Sequence, residues 1–334
     1  MSRTRVPVGM TAVVLLGALA ACGGEATGPV PTSSSTGSYP VTVRNCGADV
    51  TFDRAPERLV LLKSSAVPFL HELGVMDRVT ARAGAYPSEY YDDETLAELE
   101  DIPLLTDQMD SSGHLQISKE VVISQEPDLV LGQVDNLSRD TLGAVGIPLI
   151  EEPALCGTDE GEPGFDDVYD QLEVYGRVFG REAQAADAAA DLRADLAATE
   201  AKVAAGNGEA GRTAAVLYPT VGGGTTYAYG TGSMAHPQLE AAGLRNVFAD
   251  VDERVFEVTL EELLGRDPDV LVLLHSDGAP EPVEAALTSL PGAEELTAVR
   301  NDDVLVQLFN FTEPPSPLAF EGLERIVDGL GEGS

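Results

Sequence analysis

Basic side chains are scarce in this chain: 20 Lys and Arg stand against 56 Asp and Glu, a net charge of −36 over 334 residues. So negative a surface repels phosphate backbones and anionic headgroups, which excludes nucleic acid as a partner and argues against adsorption to anionic lipid. Histidine is scarcer still. His71, His114, His236 and His275 form no His-x-His and no His-Glu-x-x-His, the spacings that converge imidazoles on a metal. Only His275 follows a clear strand pattern, so no metal site is expected. No Gly-x-Ser-x-Gly elbow is present, and Gly230-Thr231-Gly232-Ser233-Met234-Ala235 only approximates a dinucleotide fingerprint. Neither an enzyme nor a cofactor is expected. No run of roughly 20 apolar residues could span a bilayer. Disorder is excluded too, because 43% of the residues are hydrophobic and fall in organised runs.

What is present begins at the N-terminus. Arg3 and Arg5 precede a short apolar stretch, Val13 to Ala20, and then Leu19-Ala20-Ala21-Cys22 with Gly23-Gly24. This is the layout of a secretory signal, and its end resembles the bacterial lipobox, whose cysteine is acylated and becomes the new N-terminus. The expectation is a signal peptide over 1–21 and lipidation of Cys22. The protein would then sit outside the cytoplasmic membrane, held to it through the lipid anchor only. Residues 22–38 are Gly, Ser, Thr and Pro with little apolar content, a flexible tether. Cys46 and Cys156 are the only other cysteines. In an oxidising compartment they either pair or stay as separate buried thiols; pairing is the simpler reading.

Roughly 295 residues remain for folding, enough for two domains. Short apolar runs, Leu59 to Leu62, Leu129 to Leu131, Ala214 to Leu217 and Val270 to Leu274, alternate with helix-like stretches, the pattern of parallel strands buried on both faces. Between the two sets, Val168, Leu172, Tyr175 and Phe179 recur at helical spacing. Gly180-Arg181 breaks that helix, and a second runs from Glu182 to Ala205. The fold class is α/β: two Rossmann-like lobes with parallel sheets joined by a single long helix, the ligand cleft between them. The lobes are read as 39–164 and 207–334, the helical linker as 165–206, and the whole as a monomer.

An internal repeat supports one plan for both lobes. Ser118-Lys119-Glu120 leads to Pro127-Asp128 and the strand at Leu129; Thr259-Leu260-Glu261 leads to Pro268-Asp269 and the strand at Val270. Each copy carries a Ser or Thr N-cap, an acidic first turn, and Pro-Asp before a buried strand.

Val43-Arg44-Asn45-Cys46-Gly47, Pro56-Glu57-Arg58-Leu59-Val60, Leu70-His71-Glu72-Leu73-Gly74, both Pro-Asp repeats, Gly232-Ser233-Met234, Ala242 to Phe248 and Gly322-Leu323-Glu324-Arg325 occur in one order. In that order they resemble the periplasmic binding proteins of the ferric-siderophore and cobalamin class, over residues 39–330. The resemblance implies a substrate-binding protein that delivers a small ligand to an ABC permease dimer. It also implies that Glu120 and Glu261 dock onto permease arginines. Their alternative role is to complement helix N-termini.

Ligands of open α/β sheets lie beyond the carboxyl ends of strands. That rule selects Lys63, Ser64 and the adjoining Ser65, with Tyr86 and Gln133, in the first lobe. In the second it selects Tyr218, Tyr229, Met234, His275, Phe309, Asn310 and Phe311. Phe311 falls where cobalamin-binding relatives carry an aromatic. Only Lys63 offers a plain cation at a strand end, too little for a strongly anionic tricatecholate complex, so a ferric hydroxamate is favoured. A corrinoid, haem or a phosphorylated cofactor precursor stays open, the last because Val221-Gly222-Gly223-Gly224 either cradles a phosphate or simply turns the chain.

Overall fold

The computed structural model describes residues 38–109, 114–134, 136–156, 161–207 and 211–332. The expected signal peptide, Cys22 and nearly all of the expected tether lie outside the described residues. Strands β1 (Val41–Asn45) and β2 (Ala48–Phe52) pair antiparallel as an opening hairpin. Its two turn residues, Cys46 and Gly47, sit at φ 49° and 73°, as the tight turn matching strand twist demands.

The first sheet has β3 (Leu59–Leu61), β4 (Val79–Arg82), β5 (Leu129–Leu131) and β6 (Leu149–Ile150) in the order β4-β3-β5-β6, all parallel. Every residue of β3, β5 and β6 is buried. Around it lie α1 (Val67–Glu72), α2 (Asp93–Glu100), α3 (Lys119–Ile123) and α4 (Arg139–Gly143).

Two helices follow, α5 (Phe165–Phe179) and α6 (Glu182–Lys202), divided at Gly180 in the left-handed conformation, φ 64°. The Arg193 guanidinium lies 4.0 Å over the Tyr169 ring, so α6 runs back along α5. A Cβ on Gly176 would meet Ala185 Cβ at 2.7 Å, which is why the two helices can pack so closely. The apolar stripe of α5 touches both lobes: Tyr175 meets Phe69 of α1 edge-on at 5.5 Å, and Phe165 meets Phe320 at 4.9 Å. Each such pair adds about 0.5–1.5 kcal/mol to ordinary apolar burial.

The second sheet comprises β7 (Thr213–Pro219), β8 (Thr226–Tyr229), β9 (Arg245–Asn246), β10 (Val255–Val258), β11 (Val270–His275) and β12 (Val304–Leu308). Its order is β10-β8-β7-β11-β12, with β9 on β7. β7, β9, β11 and β12 are parallel; β8 and β10 are antiparallel to their neighbours. The mixed character comes from the glycine run: Gly222, Gly223 and Gly224, all at positive φ, form the exposed turn that reverses the chain from β7 into β8. Helices α7 (Ala235–Ala241), α8 (Leu260–Arg266), α9 (Glu281–Thr288), α10 (Thr297–Asn301) and α11 (Leu318–Glu332), which carries Phe320, complete the lobe.

The repeated segments are built alike. Ser118 and Thr259 accept the N–H groups of Val121 and Glu262 as helix caps. Glu126 and Asp267, each just before its proline, both take positive φ, 50° and 42°. The Asp128 carboxylate then receives the N–H groups of Glu57 and Arg58 ahead of β3, and Asp269 receives the N–H and hydroxyl of Thr213 at the start of β7. In both lobes the Pro-Asp aspartate thus pins the neighbouring parallel strand in register.

Candidate ligand site between the lobes

A pocket of about 770 Å³ opens between the lobes, a size typical of small-molecule sites. Ser65, Ala66 and Phe69 contribute from the segment after β3, and Glu152, Pro153 and Ala154 from the segment after β6. Asp167, Gln171 and Tyr175 form one stripe of α5 at four-residue intervals; Thr231, Gly232, Asp252, Arg254, Pro314 and Pro315 close the far side. Gly230 and Gly232 have a local reason. A Cβ on either would strike the backbone of residues 251–254, so the two glycines let that segment lie close and present Arg254 to the pocket. They are not a dinucleotide cradle.

The wall is polar where its neighbours leave it unsatisfied. Ser65 Oγ and Glu152 Oε1 are sealed from solvent and have no hydrogen-bond partner among the described residues, while the Gln171 side chain hydrogen-bonds Tyr175. Ser65 and Gln171 are only 3% and 6% exposed. Leaving a buried polar group unpaired costs about 1–3 kcal/mol, so two in one pocket wall mark a surface shaped for a ligand rather than for stability. Burial pushes the Glu152 carboxyl from an ordinary 4.5 up to about 7; Lys63 opposes the rise, Glu313 adds to it, and Arg254 opposes it.

Arg254 is held by Glu313, at 3.0 Å. Glu313 is itself 1% exposed and accepts from the Ser233 hydroxyl and the Met234 N–H. The loop carrying Glu152 is fixed from outside. Asn45 donates to the Glu151 carbonyl and accepts the Glu151 N–H, each at 2.8 Å, and Cys46 is disulfide-bonded to Cys156 with the Cα atoms 5.1 Å apart. The hairpin β1–β2 is therefore a brace for the segment 151–156.

Of the residues picked out by the strand-end rule, Ser65 belongs to the pocket wall; the other eleven do not, but several stand next to it. Gln133 Oε1 accepts the Glu152 N–H at 3.1 Å. The Lys63 stem lies across Gly132, whose absent Cβ would meet its Cγ at 2.6 Å. Ser64 Oγ accepts from Asn310 Nδ2 at 3.0 Å, and Asn310 N–H donates to the Tyr90 hydroxyl at 2.9 Å; these bonds join the lobes. Tyr218 shares a hydrogen bond with Ser276 and packs against Phe309 at 6.1 Å, while His275 Nδ1 bonds the Asp277 carbonyl.

The others point inward. Tyr86 hydrogen-bonds its own lobe's carbonyls at Ala83 and Leu61, with Arg82 stacked 4.7 Å away. Tyr229, Met234 and Phe311 are 3%, 0% and 1% exposed. Phe311 packs between Tyr90 and Arg325. The strand-end rule places a loop, not the direction of each side chain, and these three fill the core. Conversely Glu152, Gln171, Tyr175, Asp252 and Arg254 escaped the sequence reading. Glu152 follows β6, a strand too short to signal itself. Gln171 had a visible signal, a polar residue beside the apolar stripe of α5.

Glu120 and Glu261 are both exposed in the first turns of α3 and α8, with no intramolecular partner for either carboxylate among the described residues. Among those residues no helix is long and apolar enough to cross a membrane.

Two buried α/β lobes, a connecting helical hairpin and a pocket between them define a bilobal solute-binding protein. The family model described as periplasmic binding protein matches residues 59–307, and the chain belongs to that family. A crystal structure described as an ABC-type Fe3+-hydroxamate transport system from Saccharomonospora viridis DSM 43017 is 59% identical. It superposes with a TM-score of 0.83 over 88% of this chain and 100% of that one. A cobalamin-binding protein of Halobacterium salinarum is 26% identical over 88% of this chain and 74% of its own. An uncharacterized ABC transporter substrate-binding lipoprotein of Bacillus subtilis, YvrC, is 24% identical over 96% of both. The chain is accordingly a binding component of an ABC importer, not an enzyme.

Proposed function

We propose that this protein captures a ferric hydroxamate siderophore outside the cytoplasmic membrane and presents it to an ABC permease. The observation that carries this reading is the 59% identity, over its full length, to the chain described as an Fe3+-hydroxamate transport system. Such identity ordinarily preserves a pocket as well as a fold. The polar side chains of Ser65, Glu152 and Gln171 and the held guanidinium of Arg254 are the contacts we assign to the ligand. Lys63 and Gln133 support them from behind, and Thr231, Asp252, Pro314 and Pro315 complete the wall on the second lobe. Hydroxamate oxygens are acceptors, which suits Gln171, Ser65 and Arg254 as donors.

Acylation of Cys22 would anchor the chain; the lipobox-like Leu19 to Cys22 supports this, as does the lipoprotein name of the Bacillus relative. Glu120 and Glu261 are assigned to permease docking. The experiment is native mass spectrometry of the chain from residue 23 onward against ferric hydroxamates, ferric catecholates, corrinoids and haem. A one-to-one complex with ferric hydroxamates is expected. Binding of a corrinoid alone would replace this reading with the second one, which the Halobacterium relative favours.

A further inference from the structure

The pocket has a charge that its size and fold do not require. Glu152, Glu162, Asp167 and Asp252 line it against one cation, Arg254, and the charge of Arg254 is already matched by Glu313 at 3.0 Å. Glu152 is the innermost of the four. Its carboxylate accepts no hydrogen bond among the described residues, and Oε1 is sealed from solvent. The groups facing it are Lys63 at the end of β3, Tyr86 beyond β4, Tyr175 on α5, and Arg254 with Glu313 from the second lobe. None of them is within hydrogen-bonding distance of its carboxylate. A neutral ligand would leave that carboxyl as it stands, and an anionic one would be repelled.

We infer that the preferred ligand carries a protonated amine, and that Glu152 is the residue that selects it by accepting its N–H bonds. This rests on the hydroxamate reading above and narrows it to ferric hydroxamates with a pendant ammonium, of net positive charge. The ammonium satisfies the orphaned carboxyl, and its other hydrogens face Asp252 or Asp167 across the pocket. Binding then favours the ionised form of Glu152, so affinity for the cationic ligand rises with pH through the neutral range. An uncharged ligand shows no such rise.

The test uses two probes that differ only in that charge: a linear ferric trihydroxamate with a free terminal amine, and the same complex with the amine acetylated. The amine form should bind the wild-type protein at least about tenfold more tightly. Its advantage should grow between about pH 6 and pH 8, and Glu152→Gln should bring the two affinities together. The wild-type ratio and its pH profile need no variant, so they stand even if Glu152→Gln folds poorly. Equal or tighter binding of the acetylated form, or a ratio that Glu152→Gln leaves unchanged, overturns the inference while the hydroxamate reading survives. Binding of neither form by a folded protein overturns both.

Discussion

The Arg254 guanidinium reaches across the pocket wall to within 3.0 Å of Glu313, a carboxylate that is 1% exposed and also receives the Ser233 hydroxyl and Met234 N–H. That pair anchors the start of β10 to the segment entering α11, and it holds the pocket's one arginine in place.

Removing the arginine leaves Glu313 buried without its counter-charge. Breaking a fully buried pair this way costs about 3–5 kcal/mol. The Arg254 side chain is 30% exposed, so a loss of about 1–3 kcal/mol is expected for Arg254→Ala. Urea unfolding at neutral pH measures it, and Glu313→Gln in the same chain should restore part of the loss. A single variant as stable as wild type would show that the pair is not what holds this corner.

Glu152 makes the opposite prediction. Its folded pKa, about 7, lies above the ordinary 4.5, so the native state holds the proton more tightly than the unfolded chain. Its effect is thus a penalty, absent at low pH, that grows from about pH 4.5 to pH 7 and is complete above. Part of the residue reaches the pocket opening, so Glu152→Gln should stabilise the empty protein by about 1–3 kcal/mol near pH 8 and hardly at all near pH 4. Unfolding curves of both proteins at the two pH values decide it; a stabilisation independent of pH would assign the effect to packing.

The disulfide closes a separation of 110 residues, for which chain-entropy arguments give about 4–5 kcal/mol. Reduction should lower the melting temperature sharply. Because Cys156 ends the segment that carries Glu152, reduction should also weaken ligand binding at temperatures where the protein stays folded. Unaltered affinity in the reduced, folded protein would separate the brace from the pocket.

Glu120→Arg and Glu261→Arg alter exposed carboxylates that touch nothing else among the described residues. Uptake in cells carrying the permease should fall to background for the double variant, with ligand affinity of the purified protein unchanged. Uptake at the wild-type level would end the assignment of these residues to docking.

The framework was legible because its signals are local. Apolar runs of three to five residues marked β3, β5, β7 and β11, and the spacing of Val168, Leu172 and Tyr175 marked α5. The Pro-Asp repeat pointed to a duplicated plan, and the clamps made by Asp128 and Asp269 show its physical use. The pocket was less legible. Whether Phe311 faces solvent or core depends on Tyr90 and Arg325, more than two hundred residues before it and fourteen after. Glu152 becomes chemically unusual because segments distant in sequence bury its carboxyl, with Glu313 adding to the shift while Lys63 and Arg254 oppose it. Strand ends can be read from periodicity; the electrostatic neighbourhood of a side chain cannot.

Asp167, Gln171 and Tyr175 put the pocket floor on α5, the same helix whose rings are wedged against Phe69 on one side and Phe320 on the other. Any rocking of the lobes widens or narrows the walls about that rod, while the rod itself stays put. Were the lobes to rock, a cargo's girth would be set by their separation, while its height is measured against α5 as against a ruler.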